Sequence, residues 1–319
     1  MLTGAFSPTE SGRGEPEVLT IDLPHLRVAA LAWGPRDGRL ALCLHGYPDT
    51  AWTWQHLGPA LAAQGYRVVA PFSRGYAPTA IPADGDYHIG ALMYDAIALH
   101  RHLDGGPDAL LIGHDWGAFT AVALAAHPDS PFKKVVALAV PLLFGLGNRA
   151  PAGPLLRCVP AQTRMSWYVL YQQIPGLPER TLDRVIPRLW RDWCPPGYDA
   201  STSLAHLWNA LPSRAHRTAA LNYYRYQFQP RRQAAKYRAL HRTWQKETPL
   251  IPMLVVHGQA DGGLDHRLAA ISADALPAGS EHVMIPGAGH FPHLDEPDMI
   301  SQLIVRYASD SAELQRSVD

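Results

Sequence analysis

The segment Gly113-His114-Asp115-Trp116-Gly117 carries the strongest chemical signal in the chain. It follows the apolar run Ala109–Ile112 and precedes a helical pattern over Trp116–His127. That context reads as a strained strand-to-helix elbow, which lifts its central side chain clear of a sheet. Glycines flank the turn because it leaves no room for Cβ atoms. The helix N-terminus behind it favours negative charge. A lone G-x-D-x-G is as readily a helix N-cap, but the strand before and the helix after favour the elbow. A serine here would attack a carbonyl carbon. A carboxylate suits displacement at a saturated carbon, leaving an alkyl ester on the protein. The substrate class this implies has an sp³ carbon with a leaving group, such as a strained epoxide C–O bond or a carbon–halogen bond.

Such an ester must be cleaved by water, which needs a base. In folds with this elbow the chain order is nucleophile, acid, histidine. His290, in Gly287-Ala288-Gly289-His290-Phe291, lies just past the last strand pattern and is the base this order selects from sixteen histidines. His100 and His102 read as helix surface, and His114 should point away from its neighbour Asp115. Asp261, straight after the strand Met253–Val256, is the expected orienting acid, with Asp265 as a weaker rival. The other acid position of such folds, Val140–Ala150 here, holds no Asp or Glu. The ester oxygen turns negative under water attack and needs donors. The backbone N–H groups of Tyr47, in His45-Gly46-Tyr47-Pro48, and of Trp116 are the candidates. Tyr47-Pro48 is a candidate cis peptide. Gly145-Leu146-Gly147-Asn148-Arg149-Ala150 matches a dinucleotide fingerprint, but Pro151 and Pro154 forbid the helix such a site needs.

These residues require a scaffold. The runs Val18–Leu23 and Arg27–Trp33 alternate like an opening hairpin. Ala41–Leu44, Val68–Ala70, Ala109–Ile112 and Val135–Val140 are continuous apolar runs, as buried parallel strands should be. Helical patterns over Gln55–Gln64, Ile89–Leu103 and Trp116–His127 lie between them, which implies a parallel sheet with right-handed crossovers. Residues 141–247 carry no clear strand and are rich in Pro, Arg, Trp and Tyr. The α/β pattern then resumes with the strand Met253–His257, a helix near Arg267–Leu276, the strand Glu281–Ile285 and the helix Pro297–Tyr307. The tail Ser309–Asp319 reads as frayed.

Lys+Arg and Asp+Glu balance at 28 each, so no net field recruits nucleic acid or an anionic membrane. Cys43, Cys158 and Cys194 form neither a disulfide framework nor a zinc pattern, which points to reduced thiols in the cytoplasm. Met1–Pro16 lacks the apolar run of a signal peptide, and no stretch is long enough to span a membrane. The sequence admits a homodimer without requiring one.

The His-Gly-Tyr-Pro loop, the Gly-His-Asp-Trp-Gly elbow and the closing Gly-His-Phe occur in order, and from about Val18 to Tyr307 the chain resembles the epoxide hydrolase branch of the α/β-hydrolase superfamily. That family usually has Asp where Phe72 stands, and Gly and Ser at the positions of Ala77 and Thr79. The resemblance implies a mostly parallel eight-stranded sheet with helices on both faces, a core of residues 1–140 and 248–319, and a helical cap over 141–247. It also implies two cap tyrosines that hold the epoxide oxygen. Tyr224 matches one, in Asn222-Tyr223-Tyr224-Arg225, and Tyr168 the other, ahead of Tyr171-Gln172-Gln173-Ile174-Pro175-Gly176, with Tyr171 as a weaker substitute. His45, Pro48, Tyr171 and Trp167 are further candidates for substrate contact. The implied reactants are a small lipophilic epoxide and water, with no metal or organic cofactor. A haloalkane dehalogenase shares the aspartate and the following Trp, but one common form has Asn where Tyr47 stands. A non-catalytic binding protein of this fold is disfavoured by the intact Asp115, Asp261 and His290.

Overall fold

The computed structural model describes residues 14–141, 152–229, 232–246, 248–273 and 276–316. Among them one eight-stranded sheet forms, in the order β1-β2-β4-β3-β5-β6-β7-β8. The hairpin of β1 (Glu17–Leu23) and β2 (Leu26–Trp33) is antiparallel, and so is the joint of β2 to β4 (Tyr66–Pro71). β3 (Arg39–Leu44), β5 (Leu110–His114), β6 (Lys134–Leu138), β7 (Met253–Gly258) and β8 (Glu281–Ile285) run parallel. All residues of β5, β6 and β7 are buried, as continuous apolar strands must be when helices cover both faces of a sheet.

The crossovers are α1 (Leu57–Ala62), α2 (Ile89–His102) and α3 (Trp116–Ala125). Between β6 and β7 lie α4 (Ala152–Met165), α5 (Trp167–Tyr171), α6 (Pro178–Trp193), α7 (Ser201–Ala210), α8 (Arg214–Arg225) and α9 (Arg238–Lys246). The chain closes with α10 (His266–Ala273), α11 (Pro292–Asp295) and α12 (Pro297–Arg316). α1 packs on α12, while α2 packs on α3 and α9. The inserted helices make a cap whose construction α6 illustrates. Pro178 starts the helix without wasting an N–H, and Leu182, Val185, Ile186, Leu189, Trp190 and Trp193 recur at helical spacing as its buried face.

Three local expectations differ from what is observed. α9 falls in the stretch read as insertion, yet it packs on α2 and α3, with the Trp244 ring 5.5 Å from Phe119. α12 continues to Arg316 where fraying was expected. His100, expected on a helix surface, is buried and bonds the Gly106 carbonyl through Nε2 at 3.1 Å. The glycine-rich decoy at 145–150 lies outside the described residues.

The loop after β4 is pinned by Arg74, whose side chain is fully buried. Its guanidinium holds both oxygens of Asp95 on α2, at 2.6 and 2.7 Å. Burial alone would raise the Asp95 pKa, but Arg74 and His25 overcome it and hold the carboxyl below its ordinary 3.8. The carboxylate therefore stabilises the fold above that pH, and the contribution is lost as pH falls through the depressed value. Asp95→Asn removes the closer of the two carboxylates beside the buried Arg74 cation, leaving Asp84 at 3.7 Å, and is expected to cost about 3 kcal/mol. A lowered urea midpoint at pH 7 is the check; an unchanged one refutes the pairing energy.

Candidate active site

Asp115 sits between β5 and α3 with φ 50° and ψ −116°, a conformation L-residues adopt only under constraint. The constraint is packing. A Cβ on Gly113 would lie 2.2 Å from the Gly117 carbonyl oxygen, and one on Gly117 would lie 2.0 Å from that of Leu44. The Asp115 side chain makes no capping bond to α3. Instead its Oδ1 accepts the Tyr47 N–H at 2.7 Å. Gly46 lets that strand-end loop approach, since a Cβ there would fall 2.3 Å from the carboxylate. Tyr47-Pro48 is cis, as is Ala77-Pro78. Trp116, the other expected donor, is the first residue of α3, so its N–H has no helical carbonyl to bond.

His290 Nδ1 is 2.9 Å from Asp261 Oδ2, and its Nε2 faces Asp115 Oδ2 at 3.8 Å. That Nε2 is buried and has no hydrogen-bond partner among the described residues. Asp261 is fixed in turn, its Oδ1 accepting the amides of Gly263 at 2.7 Å and Leu264 at 2.9 Å. Burial disfavours its charge, yet His290 and His257 hold its carboxyl well below the usual range. Burial likewise disfavours a charged His290, but the carboxylates of Asp261 and Asp115 outweigh it and raise the imidazole to about 10. The neighbouring carboxylates therefore favour the protonated form of His290 in the resting site. Asp265 takes no part: it bonds the Arg267 side chain and caps the start of α10.

These positions separate the two aspartates experimentally. Removing the charge that orients a catalytic histidine costs about 10⁴-fold in turnover in a comparable triad. Asp261→Asn is expected to lose roughly that factor, and Asp265→Asn only a minor part of the rate. Steady-state kinetics showing the reverse order would move the acid to Asp265.

The cap brings two tyrosines over the elbow. Tyr168, on α5, and Tyr224, on α8, are both buried, with rings 5.5 Å apart and nearly perpendicular. Tyr224 lies edge-on to Trp116 and to Tyr47, each at 5.1 Å. Tyr168 contacts Trp193 at 5.1 Å, and Trp193 contacts His290 at 4.8 Å. Burial and the Asp115 charge raise the pKa of both phenols, so both are neutral donors. Tyr224 Oη has no hydrogen-bond partner among the described residues.

Other sequence candidates fall elsewhere. His45 does not offer a free nitrogen: Nδ1 bonds the Gly46 carbonyl and Nε2 accepts the Ser73 N–H, each at 2.9 Å. It braces the loop through both ring nitrogens. Pro48 contributes its carbonyl to Trp190 Nε1 at 3.1 Å. Tyr171 is committed to Thr181, 2.6 Å away. Trp167 lies under Arg188 and lines a cleft of about 440 Å³ with Trp193, Asp261 and Gly262, on the acid's side of the site. Gln172 was missed by sequence reasoning. It is fully buried and donates from Nε2 to Tyr47 Oη at 2.9 Å. Arg225 bonds the Gln172 carbonyl at 2.8 Å and Glu179 at 2.7 Å, so it joins the helices that carry the two tyrosines. A second acid–imidazole cluster, Asp49, His114 and His293, abuts the first, with the His114 ring 5.0 Å from that of His290.

An elbow carboxylate, an acid and a histidine on later loops of a mostly parallel sheet, and a cap inserted after β6 together define a class: the chain belongs to the alpha/beta hydrolase fold family, whose model matches residues 42–297. Within that class it is 30% identical over 294 residues to the AB hydrolase superfamily protein YfhM of Bacillus subtilis, an alignment covering 88% of this chain and 93% of that one. It is 29% identical over 325 aligned positions to Epoxide hydrolase A of Mycobacterium tuberculosis, covering 92% and 98%. The solved structure of Epoxide Hydrolase A from Mycobacterium thermoresistibile shares the fold, with a TM-score of 0.71 at 23% identity over 92% of this chain and 98% of that one.

Proposed function

We propose that this protein hydrolyses an epoxide to a vicinal diol through a covalent ester on Asp115. The observation that carries the reading is a carboxylate at the elbow, facing His290–Asp261 on one side and two cap tyrosines on the other. Asp115 Oδ2 attacks a ring carbon while Oδ1 stays on the Tyr47 amide. The C–O bond breaks, and Tyr168 or Tyr224 protonates the departing alkoxide. Esterification removes the Asp115 charge, one of the two that hold the proton on His290. The imidazolium then returns a proton to the tyrosinate and becomes a base. It takes a proton from water as the oxygen attacks the ester carbonyl carbon. The amides of Tyr47 and Trp116 stabilise the oxyanion. Collapse releases the diol and restores the Asp115 carboxylate and the His290 imidazolium.

The mechanism consumes only epoxide and water. Trp167 and Trp193 beside the site suit a lipophilic substrate. No described helix is long and apolar enough to cross a membrane. The three unpaired cysteines suit a reducing cytoplasm. One observation favours dehalogenation: Trp116 Nε1 is buried without a hydrogen-bond partner among the described residues, as a halide donor would be. Styrene oxide and a bromoalkane assayed side by side decide between them. Diol without halide release is expected, and halide release with inert epoxide would replace the reading.

A further inference from the structure

The even balance of charge over the whole chain conceals a segregation. Residues 141–247 hold 16 Lys+Arg against 5 Asp+Glu, and the rest of the chain holds 12 against 23. The cap is therefore strongly basic and the remainder acidic. Screening confines a surface field to about 8 Å at physiological salt, so a partner touching the cap meets its local charge and not the net charge.

Part of this excess is arrayed on α6. Arg180, Arg184, Arg188 and Arg191 recur at helical spacing along one face, and all four are exposed. They lie opposite the buried face of Leu182, Val185, Ile186, Leu189 and Trp193. Asp192 meets Arg188 at 3.3 Å and Arg191 at 3.2 Å, in exposed pairs of little worth, and leaves Arg180 and Arg184 without an ion pair among the described residues. Leu177, whose backbone is already helical, stands three residues ahead of Arg180 on the same face. Leu177 and Ile174 are each 43% exposed and Leu170 67%, so the turn from α5 into α6 sets aliphatic side chains beside the arginines.

Guanidinium groups bind phosphate oxygens in a bidentate fork. A groove for single-stranded nucleic acid sets aromatic rings among its cations. A bilayer instead takes cations at its phosphates and aliphatic side chains just beneath them. A second copy of the chain, paired through this face, would bring like charges together. We propose that the outer face of α6 and the turn before it dock on an anionic lipid surface. The contact is peripheral and needs no membrane-spanning helix. Arg188 and Trp167, stacked on one another, also border the cleft that reaches Trp193 and Asp261, so docking sets that cleft against the phase in which lipophilic compounds dissolve. That consequence rests on the proposed function; the docking itself does not, and its test does not read activity.

The full chain, freed of any histidine tag, is mixed with sedimentable vesicles of phosphatidylcholine alone, or of phosphatidylcholine and phosphatidylglycerol in equal parts. It is expected to pellet with the anionic vesicles only, and rising salt should release it. Each arginine near such a surface is worth about fivefold in partitioning, so the Arg180→Gln, Arg184→Gln double variant should bind at least tenfold more weakly. Leu177→Asn should weaken vesicle binding without weakening retention on heparin. All three side chains are exposed, so both variants should keep the wild-type melting temperature. Pelleting with neither vesicle, or equally with both, overturns the proposal, as does undiminished binding by the folded double variant. Tighter binding to nucleic acid than to the anionic vesicles at the same salt would replace the lipid with a different polyanion. Salt-sensitive self-association in sedimentation velocity, abolished by the double variant, would assign the face to a second copy.

Discussion

Mixed with an epoxide substrate, the His290→Gln variant is expected to become heavier by one substrate mass and stay so. Attack by Asp115 Oδ2 uses the elbow, the Tyr47 amide and the cap phenols, none of which the substitution removes. The second step is different. Water must lose a proton as it attacks the ester, and His290 Nε2 is the buried base facing that carbon, 3.8 Å from Asp115 Oδ2. Glutamine cannot take the proton, so turnover should fall by at least the 10²–10⁴-fold that general base catalysis typically contributes. Intact-mass measurement reads the adduct, and peptide mapping should place it on Asp115. Wild-type single turnover in ¹⁸O-water gives the complementary check. The heavy oxygen should enter the Asp115 carboxylate, because water attacks the ester carbonyl and not the saturated carbon of the former epoxide. Label found only in the diol would mean direct attack by water on the ring, and the ester would be wrong.

The parts of this site that were legible in the sequence are those whose geometry is set locally. A strand, two glycines and a helix within one short segment leave little choice about where Asp115 points, and the packing around Gly113 and Gly117 supplies the reason. His290 was legible through chain order. Asp261 and Asp265 could not be separated by local pattern alone, because both follow β7 in one loop. What distinguishes them is Arg267 and the start of α10 on one and His290 on the other. The tyrosines came from the family resemblance, since helical periodicity in an aromatic-rich cap marks a buried face without saying which ring meets the core. His45 illustrates the limit of a motif. The motif names it as a candidate for substrate contact but does not reveal that its two nitrogens are taken by Gly46 and Ser73. Gln172 and Tyr47 lie 125 residues apart, and nothing in either local sequence announces their hydrogen bond. The cluster of Asp49, His114 and His293 was illegible for the same reason: it exists only where three segments meet.

Replacing both cap hydroxyls, in a Tyr168→Phe, Tyr224→Phe double variant, is expected to nearly abolish epoxide opening while leaving the fold intact. The leaving oxygen of an epoxide stays tethered and departs as an alkoxide, a strong base that needs a proton. Burial and the Asp115 charge hold both phenols in their protonated form, ready to supply it. Positioned acid catalysis is worth about 10²–10⁴-fold, and either tyrosine can cover in part for the other, so the single variants should lose less than the pair and their effects should not add. Phenylalanine keeps the perpendicular ring contact between the two positions, and circular dichroism with a melting curve verifies that the cap still packs. The lost step precedes the ester, so this variant should form no adduct in intact-mass measurement, whereas His290→Gln accumulates one. Halide is the conjugate base of a strong acid and needs no proton, so a dehalogenase would tolerate the double substitution. Full epoxide turnover in the folded double variant would therefore remove these two tyrosines from the mechanism.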